Sequence, residues 1–188
     1  MGTILKDVFS VFKLRIGITI AFSALAGWAV TPGPSLPGWK ITLLWFAVLG
    51  SAAAAGAYNQ FAERDLDAQM ARTKNRPFVS GRFEADAFWL GMICALLTAS
   101  VGAAAIALNM VAALYIFCGA FVYGVVYTVW LKRRTWLNIV IGGLSGSFAV
   151  LAGAAAVDPG LSEVPIILAI VLFLWTPPHF WALAIARK

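Results

Sequence analysis

Charge is what this chain has least of. Only 12% of its 188 residues are Asp, Glu, Lys or Arg, where an ordinary soluble domain carries about a quarter. Hydrophobic residues make up 62%, and the mean hydropathy is +0.88. A soluble fold of this size still exposes much of its chain, so it cannot hide that much apolar surface. A soluble enzyme, a disordered segment and a coiled coil are thereby excluded. What remains is a helical membrane protein, in which each span satisfies its own backbone polar groups. Cysteine is scarce as well. Cys94 and Cys118 lie deep in apolar stretches with no Cys-x-x-Cys spacing. They are expected to be buried core residues, which implies no disulfide framework and points to no redox compartment.

The uncharged windows place the helices. Ile16 to Trp39, Ile41 to Ala62, Ala87 to Leu131, Thr135 to Val157 and Val164 to Ala186 carry no Asp, Glu, Lys or Arg. The third window is long enough for two spans of about 20 residues, with Asn109 as the turn. The expectation is an all-α, polytopic transmembrane helical bundle forming one domain over residues 1–188, with spans near 16–34, 41–62, 87–107, 111–131, 136–157 and 164–186. Thr31 to Gly38 and Asp158-Pro159-Gly160 read as turns. Gly142 and Gly146 form a Gly-x-x-x-Gly, which favours close helix packing or, less commonly, a wall for a flat ligand.

Net charge is +6, from 14 Lys+Arg against 8 Asp+Glu. In a membrane protein this balance reflects basic cytoplasmic loops, not a nucleic-acid partner. With the N-terminus inside, thirteen basic residues fall on the inner side: Lys6, Lys13, Arg15, Arg64, Arg72, Lys74, Arg76, Arg82, Lys132, Arg133, Arg134, Arg187 and Lys188. Only Lys40 falls outside. A cytoplasmic N-terminus is expected. The first apolar stretch, with Ala24-Leu25-Ala26, has the layout of a signal peptide, but the spans that follow make an uncleaved first helix the expectation.

One segment breaks the apolar pattern. From Asn59 to Pro77 it carries Glu63, Asp65 and Asp67 together with Arg64, Arg72, Lys74 and Arg76. Charge at a membrane helix end is expensive unless it faces protein or water. Asn59, Glu63 and Asp67 are spaced i, i+4, i+8. At about 100° per residue they drift by only ~40° and ~80° and share one helix face, whereas Asp65 points elsewhere. Two carboxylates and an amide on one face suit Mg²⁺, which takes oxygen ligands and bridges carboxylates to substrate phosphates. Arg72, Lys74 and Arg76 add cations for an anion. Together these fit a diphosphate leaving group. The competing reading of the spacing is a solvated, salt-bridged loop.

The block Asn59-x-x-x-Glu63-Arg-Asp-Leu-Asp67, followed by Arg72-Thr-Lys-Asn-Arg76-Pro77, resembles the first acidic motif of the UbiA superfamily of intramembrane prenyltransferases. Glu63 at the middle position is similar to the heme-farnesylating branch. Two further blocks, Tyr127 to Thr135 with Asn138 to Gly143, and Phe173 to Ala184, resemble that branch in the same order. Lys13-Leu14-Arg15 departs from its Lys-Pro-Arg, and Ser145 to Ala156 lacks its Pro-Pro and Gly-Trp. Family members have about nine helices and a second acidic motif after the sixth, so the resemblance makes this chain the N-terminal two-thirds of such an enzyme, six of about nine helices, inactive alone.

The resemblance implies transfer of the farnesyl group of farnesyl diphosphate to a vinyl group of heme B, giving heme O. It implies Mg²⁺ and diphosphate at Asn59, Glu63 and Asp67, with Asp65 a weaker ligand. Arg72, Lys74, Arg76 and Lys132 are then assigned to diphosphate oxygens, and Tyr127 lies near the reacting centre. His179, the single histidine, is a candidate for the heme iron or a propionate; otherwise it bonds a carbonyl freed by Pro177 and Pro178. Trp175, Phe180 and Trp181 pack a porphyrin or isoprenoid, or form an interfacial belt. Implied partners are heme B, farnesyl diphosphate and the lipid bilayer, with heme A synthase or oxidase assembly proteins downstream, in a bacterial plasma membrane. A quinone-precursor or other aromatic acceptor, and a non-catalytic heme-binding or assembly role, are the alternatives.

Overall fold

The structure, a computed structural model, describes residues 2–132 and 134–186. Arg133, Arg187 and Lys188, counted above among the inner basic residues, lie outside the described residues. Within them the chain is helical without strands. The elements are α1 (Gly2–Val11), α2 (Leu14–Val30), α3 (Gly38–Ala62), α4 (Arg64–Ala68), α5 (Ala87–Ala107), α6 (Met110–Phe121), α7 (Asn138–Val157) and α8 (Glu163–Ala186). A π-helical segment, Val122–Leu131, prolongs α6. Five helices are long and apolar enough to cross a membrane: α3, α5, α6 with its π segment, α7 and α8. The pair α1 and α2, bent by 47° at its break, makes a sixth if it is one span. The protein is an integral, multi-pass membrane protein.

The break between α1 and α2 falls at Lys13, which adopts φ 48°, ψ 41°. That left-handed conformation costs a residue with a Cβ roughly 1 kcal/mol. At the α5–α6 turn, Asn109 caps α6: its side chain accepts from the Ala112 amide at 2.8 Å and donates to the Ala155 carbonyl at 2.7 Å. The loop before α5 is anchored by an aromatic cluster. Phe78 is buried against Phe61, Phe83 and Trp89, and Arg82 makes a two-pronged ion pair with Asp7 of α1 at 2.8 and 3.0 Å.

Helices α2, α3, α6 and α7 form the centre, with α5 packed on α3 and α6, and α8 on α7. Lipid is as apolar as a leucine, so helix association here relies on close packing of small residues. The core is accordingly alanine-rich, with Ala21, Ala24, Ala47, Ala112, Ala152 and Ala155 buried around Leu44. The tightest crossing joins α2 to α7. A Cβ at Gly27 would overlap the Val150 carbonyl, and one at Gly153 the Ala24 carbonyl.

Apolar side chains also cover the outside. Phe88, Ile106, Met110, Ile170 and Leu174 are exposed, as suits a surface whose solvent is hydrocarbon. The cysteines follow this rule and correct the expectation of a buried core. Cys94 is exposed and Cys118 is only half-buried, both unpaired. An apolar run in a membrane helix faces lipid on one side, so apolarity alone does not mark the core.

The α2–α7 crossing generates a stability prediction. Gly153→Val forces a side chain into the Ala24 carbonyl, an overpacking worth about 1–3 kcal/mol. The melting temperature of the detergent-solubilised protein should fall by several degrees. Gly102→Ala, where nothing lies within 4 Å of an added Cβ, should not lower it. Equal melting of the two variants would contradict the crossing.

Candidate active site

The charged segment begins where α3 ends. Glu63 leaves helical geometry, at φ −102°, ψ 8°, and α4 starts at the next residue. One continuous helix was expected here; the structure puts a joint in it. The spacing nevertheless survives, because the Glu63 amide bonds the Asn59 carbonyl at 3.1 Å and the Asp67 amide bonds the Glu63 carbonyl at 2.9 Å. Asn59, Glu63 and Asp67 are each no more than 2% exposed.

Buried carboxylates require partners, and each has one. The Lys132 ammonium donates to Glu63 Oε2 at 2.6 Å, and Arg76 is ion-paired with Asp67 Oδ2. Asn59 links the elements. Its Nδ2 donates to Glu63 Oε2 at 2.9 Å and to Thr128 Oγ1 at 3.0 Å, while its Oδ1 accepts from the Lys13 ammonium. Lys13 also donates to the Tyr123 hydroxyl at 3.0 Å. Three cations thus surround two carboxylates, one positive charge in excess, which favours a polyanion.

The π-helical segment explains how α6 supplies several of these groups. The Thr128 hydroxyl donates to the Tyr123 carbonyl at 2.8 Å, and the Lys132 amide to the Tyr127 carbonyl at 2.9 Å, five residues back. Widening the helix in this way, common at functional sites, stacks the Tyr123 and Tyr127 rings at 5.5 Å and 12°. Lys132 lies over the Tyr127 ring, 5.7 Å from its centre.

Beside the cluster lies a cavity of about 510 Å³, whose wall includes Lys13, Tyr123 and Tyr127. That volume lies within the range of small-molecule sites. The rest of its wall is mostly apolar, with a few Ser and Thr hydroxyls, and rich in small residues, including Gly17, Gly56, Gly119, Gly142, Gly143 and Gly146. Gly142 abuts the Tyr127 ring and Gly143 the Thr176 side chain, so the glycines of α7 serve both packing and the cavity wall. From α8 come Leu172, Trp175, Thr176 and Phe180.

Other residues singled out by sequence lie elsewhere. Asp65 is exposed, with only Arg64 near it at 3.9 Å, and the structure does not bring it to the cluster. Arg72 and Lys74 are exposed and, among the described residues, form no ion pair with the acidic motif. They follow the last turn of α4, on the solvent side of the loop that Arg76 re-enters. His179 stacks on Trp175 at 4.2 Å and 19° and is not among the cavity-lining residues. No hydrogen bond joins it to a freed carbonyl among the described residues. Lys13, Tyr123 and Thr128 were missed as site residues. Tyr123 was findable, being four residues before Tyr127 on the same helix. Thr128 had no such signal, and Lys13 had only its place in Lys13-Leu14-Arg15; a left-handed turn and a widened helix aim the two.

Among the described residues no group of three acidic, histidine or cysteine side chains could hold a metal ion. Two buried carboxylates are nonetheless a partial shell of the kind Mg²⁺ takes when it keeps waters and substrate phosphates as its other ligands, while the Asn59 oxygen is held by Lys13. Glu63 Oε1 supports the fit: it is a buried carboxylate oxygen without a hydrogen-bond partner among the described residues. Glu63 and Asp67 would hold the ion, with Asn59 positioning Glu63 through its amide.

The sequence pattern of the UbiA prenyltransferase family matches residues 20–188. The chain belongs to that family. Protoheme IX farnesyltransferase 2 of Paramagnetospirillum magneticum is 60% identical over 184 residues, covering 98% of this chain and 64% of that protein. Protoheme IX farnesyltransferase 1 of the same organism is 46% identical, covering 96% and 63%. A protoheme IX farnesyltransferase of Parvibaculum lavamentivorans is 44% identical, covering 97% and 57%. The chain therefore spans less than two thirds of the length of these curated relatives. A solved structure from work on digeranylgeranylglyceryl phosphate synthase superposes with a TM-score of 0.74 at 18% identity, covering 90% of this chain and 57% of that one. It shares the UbiA-type helical fold.

Lys13 gives this geometry a direct test. Lys13→Met removes one of three cations and releases the Asn59 amide oxygen. Calorimetry should find binding of inorganic diphosphate with Mg²⁺ weakened at least about tenfold, or ~1.4 kcal/mol. Lys40→Met, at the opposite end of α3, should leave it unchanged.

Proposed function

We propose that this chain carries the donor-binding part of a protoheme IX farnesyltransferase, which transfers the farnesyl group of farnesyl diphosphate to a vinyl group of heme B to give heme O. The observation that carries the reading is the buried cluster of two carboxylates and three cations at the wall of an apolar cavity. Its supports are the family membership, the names of the similar proteins, and Glu63 in the middle of the acidic motif.

The chain's own groups account for the chemistry. Lys13, Arg76 and Lys132 draw the diphosphate to the helix ends and oppose the negative charge that builds on its oxygens as the carbon–oxygen bond breaks. Glu63 and Asp67 would hold Mg²⁺, which would supply Lewis-acid stabilisation of that charge. The allylic cation left behind must meet the vinyl carbon before water. The glycine-lined apolar wall excludes that water. The stacked Tyr123 and Tyr127 rings present π-faces to a cation forming at the junction of cluster and cavity. The vinyl carbon then bonds the allylic carbon as diphosphate departs, which leaves a cation on the carbon next to the porphyrin ring; one water adds there and loses a proton, giving the hydroxyl of heme O. On the acceptor side, Trp175 and Phe180 supply flat apolar surface, and we assign His179 to this side through Trp175, on which it stacks. Arg72 and Lys74 guide the anion inward from solvent.

The location proposed is the plasma membrane of a bacterium, with the N-terminus and the acidic loop cytoplasmic, in keeping with thirteen basic residues on that side and with bacterial relatives. The heme O product suits hand-over to a heme A synthase or to oxidase assembly proteins.

Mutation of the acidic motif tests the assignment. In the full-length protein, Glu63→Gln or Asp67→Asn should lower farnesyl transfer to heme B at least about 100-fold, the scale of lost transition-state charge stabilisation. Membrane insertion should persist, and exposed Asp65→Asn should stay within a few-fold of wild type. Wild-type rates in the first two variants would overturn the roles. Orientation is read separately, in a background lacking Cys94 and Cys118. A cysteine replacing exposed Lys74 should react with an impermeant reagent from the cytoplasm, and one replacing exposed Ser35 from outside.

A further inference from the structure

The cavity has a floor, and its depth is measurable along three helices. Its wall runs along α2 from Lys13 to Ser23 and along α7 from Ile139 to Ala149. Each interval is ten residues, about 15 Å at the helical rise. Along α6 the wall ends at Tyr115, well beyond Tyr127. Just past these positions the bundle becomes solid. Gly27 of α2 meets the Val150 backbone, and Gly153 of α7 meets the Ala24 backbone. On the α3 side, Leu44 is fully buried, one turn beyond the wall residue Val48. The ring of Tyr115 stacks on Phe148 at 6.1 Å and 27° and packs against the alanine core. No hydrogen bond engages its hydroxyl among the described residues, so the side chain acts there as a surface.

A farnesyl chain stretched from the charged cluster has a main chain of about twelve carbons, or roughly 13 Å from C–C bonds of ~1.5 Å in zigzag. One more isoprene unit adds about 5 Å and would run into Tyr115 and the α2–α7 crossing. We propose that Tyr115, backed by Phe148 and the Gly27–Gly153 crossing, is the specificity-determining floor that limits the isoprenoid tail to three units. This rests on the proposed donor, and it adds the residue that measures that donor. Ala149 sits at the same level on α7, where a larger side chain would raise the floor.

The test uses the full-length protein and reads binding of geranyl, farnesyl and geranylgeranyl diphosphates with Mg²⁺ by competition, without any acceptor, alongside transfer to heme B. Wild type should prefer the fifteen-carbon donor. Tyr115→Ala should shift the ratio of twenty- to fifteen-carbon affinity at least tenfold toward the longer chain. Tyr115→Phe should keep the wild-type ratio, because the ring and not the hydroxyl forms the floor. Ala149→Leu should shift preference toward the ten-carbon donor. Opposite shifts from two sites cannot arise from general loosening, and Ala149→Leu keeps the test open if Tyr115→Ala does not fold. Unchanged ratios in folded Tyr115→Ala and Ala149→Leu would overturn the floor. Normal chain-length shifts without transfer to heme would uphold the floor and overturn the proposed acceptor instead.

Discussion

A carboxylate that leaves water must bring its counter-charge with it, and this requirement organises the protein at its charged end. Glu63 and Asp67 are almost wholly enclosed. An isolated buried ion carries a penalty of several kcal/mol, so their helix ends can pack only with Lys132 and Arg76 in place. Asn59 extends the demand, since its amide bonds Glu63 and Thr128 and its oxygen takes Lys13. One polar knot therefore ties the start of α2, the end of α3, the reversing loop and the end of α6. The strained turn at Lys13 and the widened helix before Lys132 are the backbone consequences. Both deviate from regular geometry, and both aim a cation at the same knot.

The opposite end obeys a different rule. Among the described residues no ion pair joins the helices there, and lipid offers no hydrophobic drive to press them together, so contact depends on small residues. Gly27 and Gly153 let α2 and α7 touch backbone to backbone. The helices are thus pinned by electrostatics at one end and by close approach at the other. Between the two pins the glycines of α7 and α3 leave a space that larger side chains would fill. The cavity follows from these constraints.

Much of this was readable in the sequence. The long uncharged windows marked where helices lie, and the i, i+4, i+8 spacing gathered Asn59, Glu63 and Asp67, because a helical period is a local property. What stayed hidden depended on non-local packing. Lys13 had looked like one more basic residue on the inner side, since nothing nearby in sequence announces a left-handed turn that aims it at Asn59, 46 residues away. Cys94 was misplaced because apolar character cannot separate a lipid-facing side chain from a core one. Arg76 and Arg72 are indistinguishable by composition, yet only the first folds back onto Asp67. The acidic triad was legible while its counter-ions were only partly so, because the triad lies on one short segment and its partners come from three.

The juxtaposition of knot and cavity carries the functional argument further than either alone. A cluster of cations and carboxylates by itself could be a salt-bridged loop, and an apolar cavity by itself could be lipid-filled. Lys13, Tyr123 and Tyr127 belong to both: Lys13 bonds the knot, the tyrosines stack beside it, and all three line the cavity. A substrate suited to such a place is half polyanion and half hydrocarbon, with the bond between the halves at the boundary. An isoprenoid diphosphate has that form. In the proposed reaction the bond that breaks lies where the dielectric changes from a charged cluster to a dry wall. There the leaving group is stabilised on one side, and the carbon cation is kept from water on the other.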